Sequence, residues 1–265
     1  MITVRDLLHG FEALSLRGQP VIAHGSFKSL GAVQGGPNAV VNTLVASTGA
    51  LMMPSFTYET MVFPPTGPDR NGLDYRAEHD LHSFDESAPI YFKRDLPVDK
   101  EIGILPEMLR RHRQARRSLH PILSFTGVNV EFALERQSME SPLEPIGALA
   151  EQNGWVLLIG VDQRVNTSIH YAERLAGRPQ FLRWAATSRR VVECPGFPGD
   201  SGGFQQIASQ VRHRVNSVVI GDARVDAIPL RFLLETVDGL IKEDPLALLC
   251  QQDECGRCNA VREAV

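Results

Sequence analysis

The sequence has no apolar run approaching the roughly 20 residues that a membrane-spanning helix needs. Its first ten residues, MITVRDLLHG, lack the basic, apolar and small-residue regions of a secretory signal. Together these absences lead to the expectation of a cytoplasmic chain with no membrane partner. Cysteine is scarce, with 4 in 265 residues, too few for the disulfide framework of a small secreted domain. Nor is there a basic excess: 27 Lys and Arg stand against 31 Asp and Glu, a net charge of -4 and a pI near 6.1. That balance argues against a nucleic-acid partner, because phosphate contacts need surplus positive charge. Internal repeats and low-complexity linkers are also missing, which excludes solenoid and linker-rich architectures.

What remains is an ordinary globular composition, 43% hydrophobic and 22% charged, long enough to bury a core in one compact unit over residues 1–265. Residues 3–16 carry helical apolar spacing behind Thr3 as a cap, and Val21 to His24 reads as a short strand. A glycine-rich loop follows, with Pro37 suited to the first turn of a helix over 37–47, and Leu51 to Pro54 reads as a second strand. Strand, loop, helix, strand is the signature of an α/β unit with a mixed or parallel sheet flanked by helices. Further helices are expected over 103–112, 142–152, near 203–213 and over 230–242. Trp155 to Val161 is the clearest buried strand, and 180–194 and 215–229 are rich in strand formers.

From Glu59 to Asp95 the periodicity fails. Between Glu59 and Asp95 the stretch holds 8 acidic residues, Asp74 and Asp80 among them, against 4 basic ones. A long irregular stretch in a compact domain is commonly functional, and this one is expected to be a substrate-facing insertion over about 59–101. Its carboxylates suit a small cationic partner, and equally a solvated surface.

Directly after the Trp155 strand comes NTSIHYAE, residues 166–173. If these form a helix capped by Asn166, His170 and Glu173 share a face at i and i+3, at the carboxyl end of a strand where open α/β sheets hold ligands. Spacing alone leaves three readings open: a surface pair, a general base oriented by a carboxylate, or two ligands of a metal. Thr167 lies one turn before His170, free to face a substrate. The loop Ser26-Phe27-Lys28-Ser29 through Gly35 and Gly36 offers amides, a lysine and a helix start, which favour an anion, although glycines also serve a plain tight turn. It matches neither of the common glycine-rich phosphate motifs. His120 precedes Pro121 and is therefore extended, as a buried histidine or an active one. The arginines at 110, 111, 113, 116 and 117 read first as a solvated helix end. Cys250-x4-Cys255-x2-Cys258 resembles part of a zinc knuckle, with Cys194 the remaining thiol to complete a structural zinc site over the C-terminal segment 244–265; free thiols are the other reading.

Four blocks in order resemble the aminoglycoside 3-N-acetyltransferase family: VIAHGSFKSLGAVQGGPNAVVNTL, GALMMPSFTY, IGILPEMLRRHRQARRSLHPILSFTGVN and SPLEPIGALAEQNGWVLLIGVDQRVNTSIHYAE. They cover about residues 20–58 and 102–175. The resemblance implies an α/β fold distinct from the GNAT acetyltransferases, and transfer of an acetyl group from acetyl-CoA to the 3-amino group of an aminoglycoside antibiotic through a ternary complex. It makes His170 the general base, Glu173 its orienting or substrate-contacting partner, and His120 a second active-site candidate. Acetyl-CoA would be held by Ser26, Phe27, Lys28, Ser29, Gly35, Gly36 and Ser118, with the nearby arginines as helpers. Thr167, Tyr58, Asp74 and Asp80 fall on the substrate side. No cysteine lies in the matching blocks, so no acetyl-cysteine is implied. Three rivals remain: the same chemistry on another amine, a metal-dependent hydrolase using His170 and Glu173, and a non-catalytic CoA-binding protein. Oligomeric state, monomer or homodimer, is left open.

Overall fold

A computed structural model describes residues 1–78 and 90–265. Among the described residues, ten strands run in chain order: β1 Pro20–Gly25, β2 Ala50–Pro54, β3 Met61–Val62, β4 Arg116–Arg117, β5 Phe125–Val128, β6 Trp155–Ile159, β7 Phe181–Ala186, β8 Val191–Phe197, β9 Asn216–Ile220 and β10 Ala223–Pro229. Seven form one sheet in the order β4-β5-β2-β1-β6-β10-β9, and β3, β7 and β8 form a second, antiparallel sheet. Only the centre of the large sheet is parallel: β1 pairs in parallel with β2 on one side and β6 on the other, while β5 and β10 flank them antiparallel.

Side-chain alternation along the central strands divides the core into two layers. Val21, Ala23, Leu157 and Ile159 face the helices Val4–Ala13, Gly36–Ser47 and Ile104–Arg110 through Leu7, Phe11, Val40, Leu44 and Leu109. Ile22, Met52, Val156 and Leu158 face the other way, onto the helices Glu144–Glu151, Thr167–Leu175 and Leu230–Glu243. With both faces covered, β2 is buried at every position, which is why it reads as an unbroken apolar run. Phe181, Ala185 and Phe197 of the small sheet join this second layer.

The expected α/β class, a mixed sheet flanked by helices, is the one observed, and the expected helices lie within a few residues of their places. The strand-rich stretches 180–194 and 215–229 are each a hairpin, the second turning at Gly221 with φ +60°. The helix expected near 203–213 is broken into the turns Phe204–Ile207, Ala208–Val211 and Arg212–Arg214. Within the irregular 59–101 stretch, β3 pairs with β7, and Phe92 bridges to Thr187. No helix among the described residues is long and apolar enough to cross a membrane.

Candidate active site

Because β2 and β6 lie on opposite sides of β1, the chain order reverses at β1, and a crevice opens at the carboxyl ends of these strands. A cavity of about 680 Å³ occupies it. His24 and Gly25 at the end of β1, Pro54 at the end of β2 and Val161 beyond β6 form its floor. The turn Phe27–Leu30 brings Ser26, Phe27 and Lys28 to one wall, and Thr167 and His170 come from the helix Thr167–Leu175.

That helix begins where expected. The Asn166 side chain accepts from the Ser168 amide at 3.1 Å and donates to Gln163 Oε1 at 2.9 Å, so the cap is itself held in place. One turn on, His170 Nδ1 lies 2.8 Å from Glu173 Oε2. The other Glu173 oxygen accepts from Arg178 at 2.5 Å, and both of those side chains are almost fully buried. Arg178 in turn donates to the carbonyls of Pro245 and Ala247 at 2.8 and 2.7 Å. The Phe204 ring packs edge-on against the imidazole, with centroids 4.6 Å apart. With a carboxylate accepting at Nδ1, the imidazole keeps its proton there and presents Nε2 as the acceptor. These contacts orient the ring and use the Glu173 oxygens within the protein.

The close approach of the Ser26 loop depends on Gly160, which follows β6 at φ +58°: a Cβ there would lie 1.8 Å from Ser29 Oγ. Ser29 itself donates to the Ser26 carbonyl at 2.7 Å and shapes the turn rather than lining the cavity. Gly35 and Gly36 take φ of +80° and +64° at the start of the Gly36–Ser47 helix, also outside the lining. Tyr58 lines the cavity beside Phe56, and burial pushes its phenol pKa up. Asp74 is turned to local work, its Oδ1 accepting from the amides of Arg76 and Ala77. Asp80 lies outside the described residues.

His120 and Ser118 sit apart from this cavity, in a separate hollow of about 460 Å³. His120 Nδ1 accepts from the amides of Ile122 and Leu123 at 3.2 and 2.9 Å, and burial pulls its pKa down to about 4. Ser118 Oγ accepts from the Phe125 amide at 2.9 Å. Arg117, far from being a solvated helix end, is buried; its guanidinium donates to Ser124 Oγ and to the carbonyls of Ser55, Arg94 and Leu96. Arg110 and Arg111 both grip Glu107.

A family model described as aminoglycoside 3-N-acetyltransferase matches residues 22–242. The chain belongs to this family. Among curated relatives, it is 31% identical over 180 residues to the SPbeta prophage-derived aminoglycoside N(3')-acetyltransferase-like protein YokD of Bacillus subtilis, and 30% identical over 195 residues to aminoglycoside N(3)-acetyltransferase III of Pseudomonas aeruginosa. These alignments take in 64% and 66% of the chain, and span 64% of the length of either relative. Solved structures share the fold. The apoenzyme of aminoglycoside acetyltransferase AAC(3)-IVa superposes with a TM-score of 0.78 at 23% identity, covering 100% of this chain and 98% of that one. A histidine-to-alanine mutant of the same enzyme, in complex with a gentamicin, gives 0.77 at 23% identity and the same coverage. AAC-IIIb in a binary complex with CoASH gives 0.74 at 18% identity, covering 91% of this chain and 96% of that one.

Within this acetyltransferase-family fold, several cavity residues escaped the sequence reading. Lys100 and Glu101 close one side, from the end of the irregular stretch; Arg164, Phe197, Gly199 and Arg257 close the others. Arg178 was also missed, since nothing in Gly177-Arg178-Pro179 shows that its partner lies five residues back. The zinc grouping needs a correction. Cys250, Cys255 and Cys258 do come together, but their fourth neighbour is Asp200, not Cys194. Cys194 points into the core from β8, and burial there pushes its thiol up to about 12.

Proposed function

We propose that the protein transfers an acetyl group from acetyl-CoA to the 3-amino group of an aminoglycoside in a ternary complex, with His170 as general base. The observation that carries this reading is the chain of contacts from Arg178 through Glu173 to His170 at the mouth of a cavity in a chain of this family. An aminoglycoside amine is largely protonated in water and attacks only after losing a proton. His170 Nε2 is the acceptor for that proton, and Glu173 stabilises the imidazolium that results. Glu173 is thus a positioning residue, with Arg178 holding its second oxygen.

The residues present fit CoA. Lys28 supplies a cation for phosphate, the Ser26 to Lys28 backbone supplies donors, and Phe27, Ile104 and Pro106 supply an apolar wall. Acetyl-CoA, when bound, brings the thioester that is cleaved. The cavity lining holds Lys28, Lys100, Arg164 and Arg257 against the Glu101 carboxylate, with Arg164 paired to Asp162 and Arg257 to Asp200. Lys28 and Lys100 suit the anionic cosubstrate, and Glu101 is the described lining carboxylate that complements an ammonium. The CoASH-bound relative supports the cosubstrate, and relatives in complex with a gentamicin, apramycin and sisomicin support the substrate class.

The hydrolase alternative has less support, because both oxygens of Glu173 and Nδ1 of His170 are engaged with one another and with Arg178. The test is thiol release from acetyl-CoA with gentamicin, apramycin and sisomicin. Turnover with at least one, and loss of it in His170→Ala, is expected. Release with none of them, alongside release with simpler amines, would assign the chemistry to a different substrate.

A further inference from the structure

Outside the cavity, three sulfurs and a carboxylate converge on a spot that the proposed acetyl transfer does not use. Cys250 ends the buried run Leu248, Leu249, Cys250; Cys255 caps the helix Gly256–Arg262, and Cys258 lies in its first turn. Asp200 enters from the turn that follows β8. The four ligand atoms all lie within 4.8 Å of one another. In a tetrahedral site with Zn–S bonds of about 2.3 Å, neighbouring sulfurs stand about 3.8 Å apart, so closing this cluster around an ion requires shifts of about 1 Å or less.

We propose that Asp200, Cys250, Cys255 and Cys258 form a structural zinc site that fastens the C-terminal segment to the wall of the cavity. Three thiolates with one carboxylate are a donor set that zinc takes and that magnesium or calcium does not. Four protein ligands make a closed site, which is structural rather than catalytic.

The surroundings are built for the approach. Gly202 passes so close that a Cβ there would lie 3.0 Å from Cys250 Cβ, and one at Gly203 would lie 2.3 Å from the Leu248 carbonyl oxygen. The Gly202 amide donates to Asp200 Oδ1 at 2.8 Å, and Arg257 reaches Asp200 Oδ2 at 3.4 Å and the Gly199 carbonyl at 3.1 Å. These contacts orient the carboxylate and balance the surplus negative charge of such a site. Arg257 and Gly199 also line the cavity, so the ion would hold two of its wall elements in register. The site stands independently of the acetyl-transfer reading, because no cavity ligand or turnover enters the argument.

The experiment is metal analysis of the full chain, purified under reducing conditions and without a metal-affinity tag. One zinc per chain is expected, along with the charge-transfer absorption of a tetrahedral thiolate site after exchange with cobalt. Cys255→Ser and Cys258→Ser should lose the ion, and Asp200→Ala should weaken it by about 10-fold or more in competition with a chromophoric chelator. Cys194→Ser should keep it, and chelation should lower the melting temperature reversibly. Should the serine variants fail to fold, Asp200→Ala and the cobalt spectrum of the wild type still decide. A chain that carries no zinc and takes up none when it is added overturns the site. So does a Cys255–Cys258 disulfide in the freshly prepared protein, and loss of the ion in Cys194→Ser would overturn Asp200 as the fourth ligand.

Discussion

Glu173 Oε2 lies 2.8 Å from His170 Nδ1, and this single contact fixes which imidazole nitrogen is free to accept a proton. Replacing His170 by Ala should lower kcat by about 10²- to 10⁴-fold, the usual worth of a positioned base. The KM for acetyl-CoA should change little, since the imidazole is not among the groups proposed to bind it. Steady-state kinetics with both substrates varied would separate these effects, and an equal loss in kcat and in CoA affinity would count against the assignment.

Glu173→Ala should affect both activity and folding. The imidazole loses its orienting acceptor, and the buried Arg178 guanidinium loses its partner, a change that typically costs about 3–5 kcal/mol. Denaturant melts beside kcat measurements would show this. A variant with wild-type stability but reduced kcat would mean that the Arg178 contact contributes nothing to the fold.

Gly160→Ala probes the loop proposed to hold the cosubstrate without replacing any residue of it. The left-handed φ alone costs about 1–2 kcal/mol for a residue with a Cβ, and the clash with Ser29 Oγ must displace the Ser26 turn. A raised KM for acetyl-CoA, with a smaller change in the KM for the aminoglycoside, is the expected outcome. Identical changes in both would place the loop elsewhere in the reaction.

Acid should destabilise the protein through two buried histidines. In the unfolded chain they titrate near 6.5, whereas burial pulls His24 down to about 3 and His120 to about 4. Below pH 6.5 the unfolded state therefore binds more protons than the folded one. The stability these groups confer is complete above that pH and falls as pH drops towards their folded values, by about 2 kcal/mol each at pH 5. Urea melts at pH 7.5, 6 and 5 would reveal the slope; a flat profile would mean that neither ring is held neutral.

Glu101→Gln removes the carboxylate found among the cavity-lining residues. The KM for an aminoglycoside should rise by about 2- to 5-fold, the effect of roughly one exposed ion pair, with kcat nearly unchanged. Unchanged KM across the drug panel would move amine recognition to other groups.

Much of this site could be read from residues whose partners are close in the chain. Asn166 caps the next residue's helix, and His170 and Glu173 are three apart, so periodicity and capping rules locate them. Arg178 shows where such reading ends, because its role depends on Pro245 and Ala247 returning to it from 67 and 69 residues away. His120 is similar: the following proline reveals an extended backbone, but not that two amides consume its Nδ1. With the cysteines, spacing marked the three that come together and supplied the wrong fourth, Cys194. Cys194 is a strand residue facing inward, whereas Asp200 is a turn residue brought close by two glycines, which spacing does not show.

The Arg178 guanidinium binds the Glu173 carboxylate with one nitrogen and the backbone at 245–247 with another. During synthesis, the described residues of the His170 cavity other than Arg257 all precede Pro245, yet the Arg178 guanidinium that clamps the carboxylate has no backbone acceptors until then. A nascent chain halted at residue 244 would hold His170, its helix and its cap, but not the tether that keeps Arg178 in place. The clamp on Glu173 is therefore completed late, by backbone that lies 67 residues beyond Arg178.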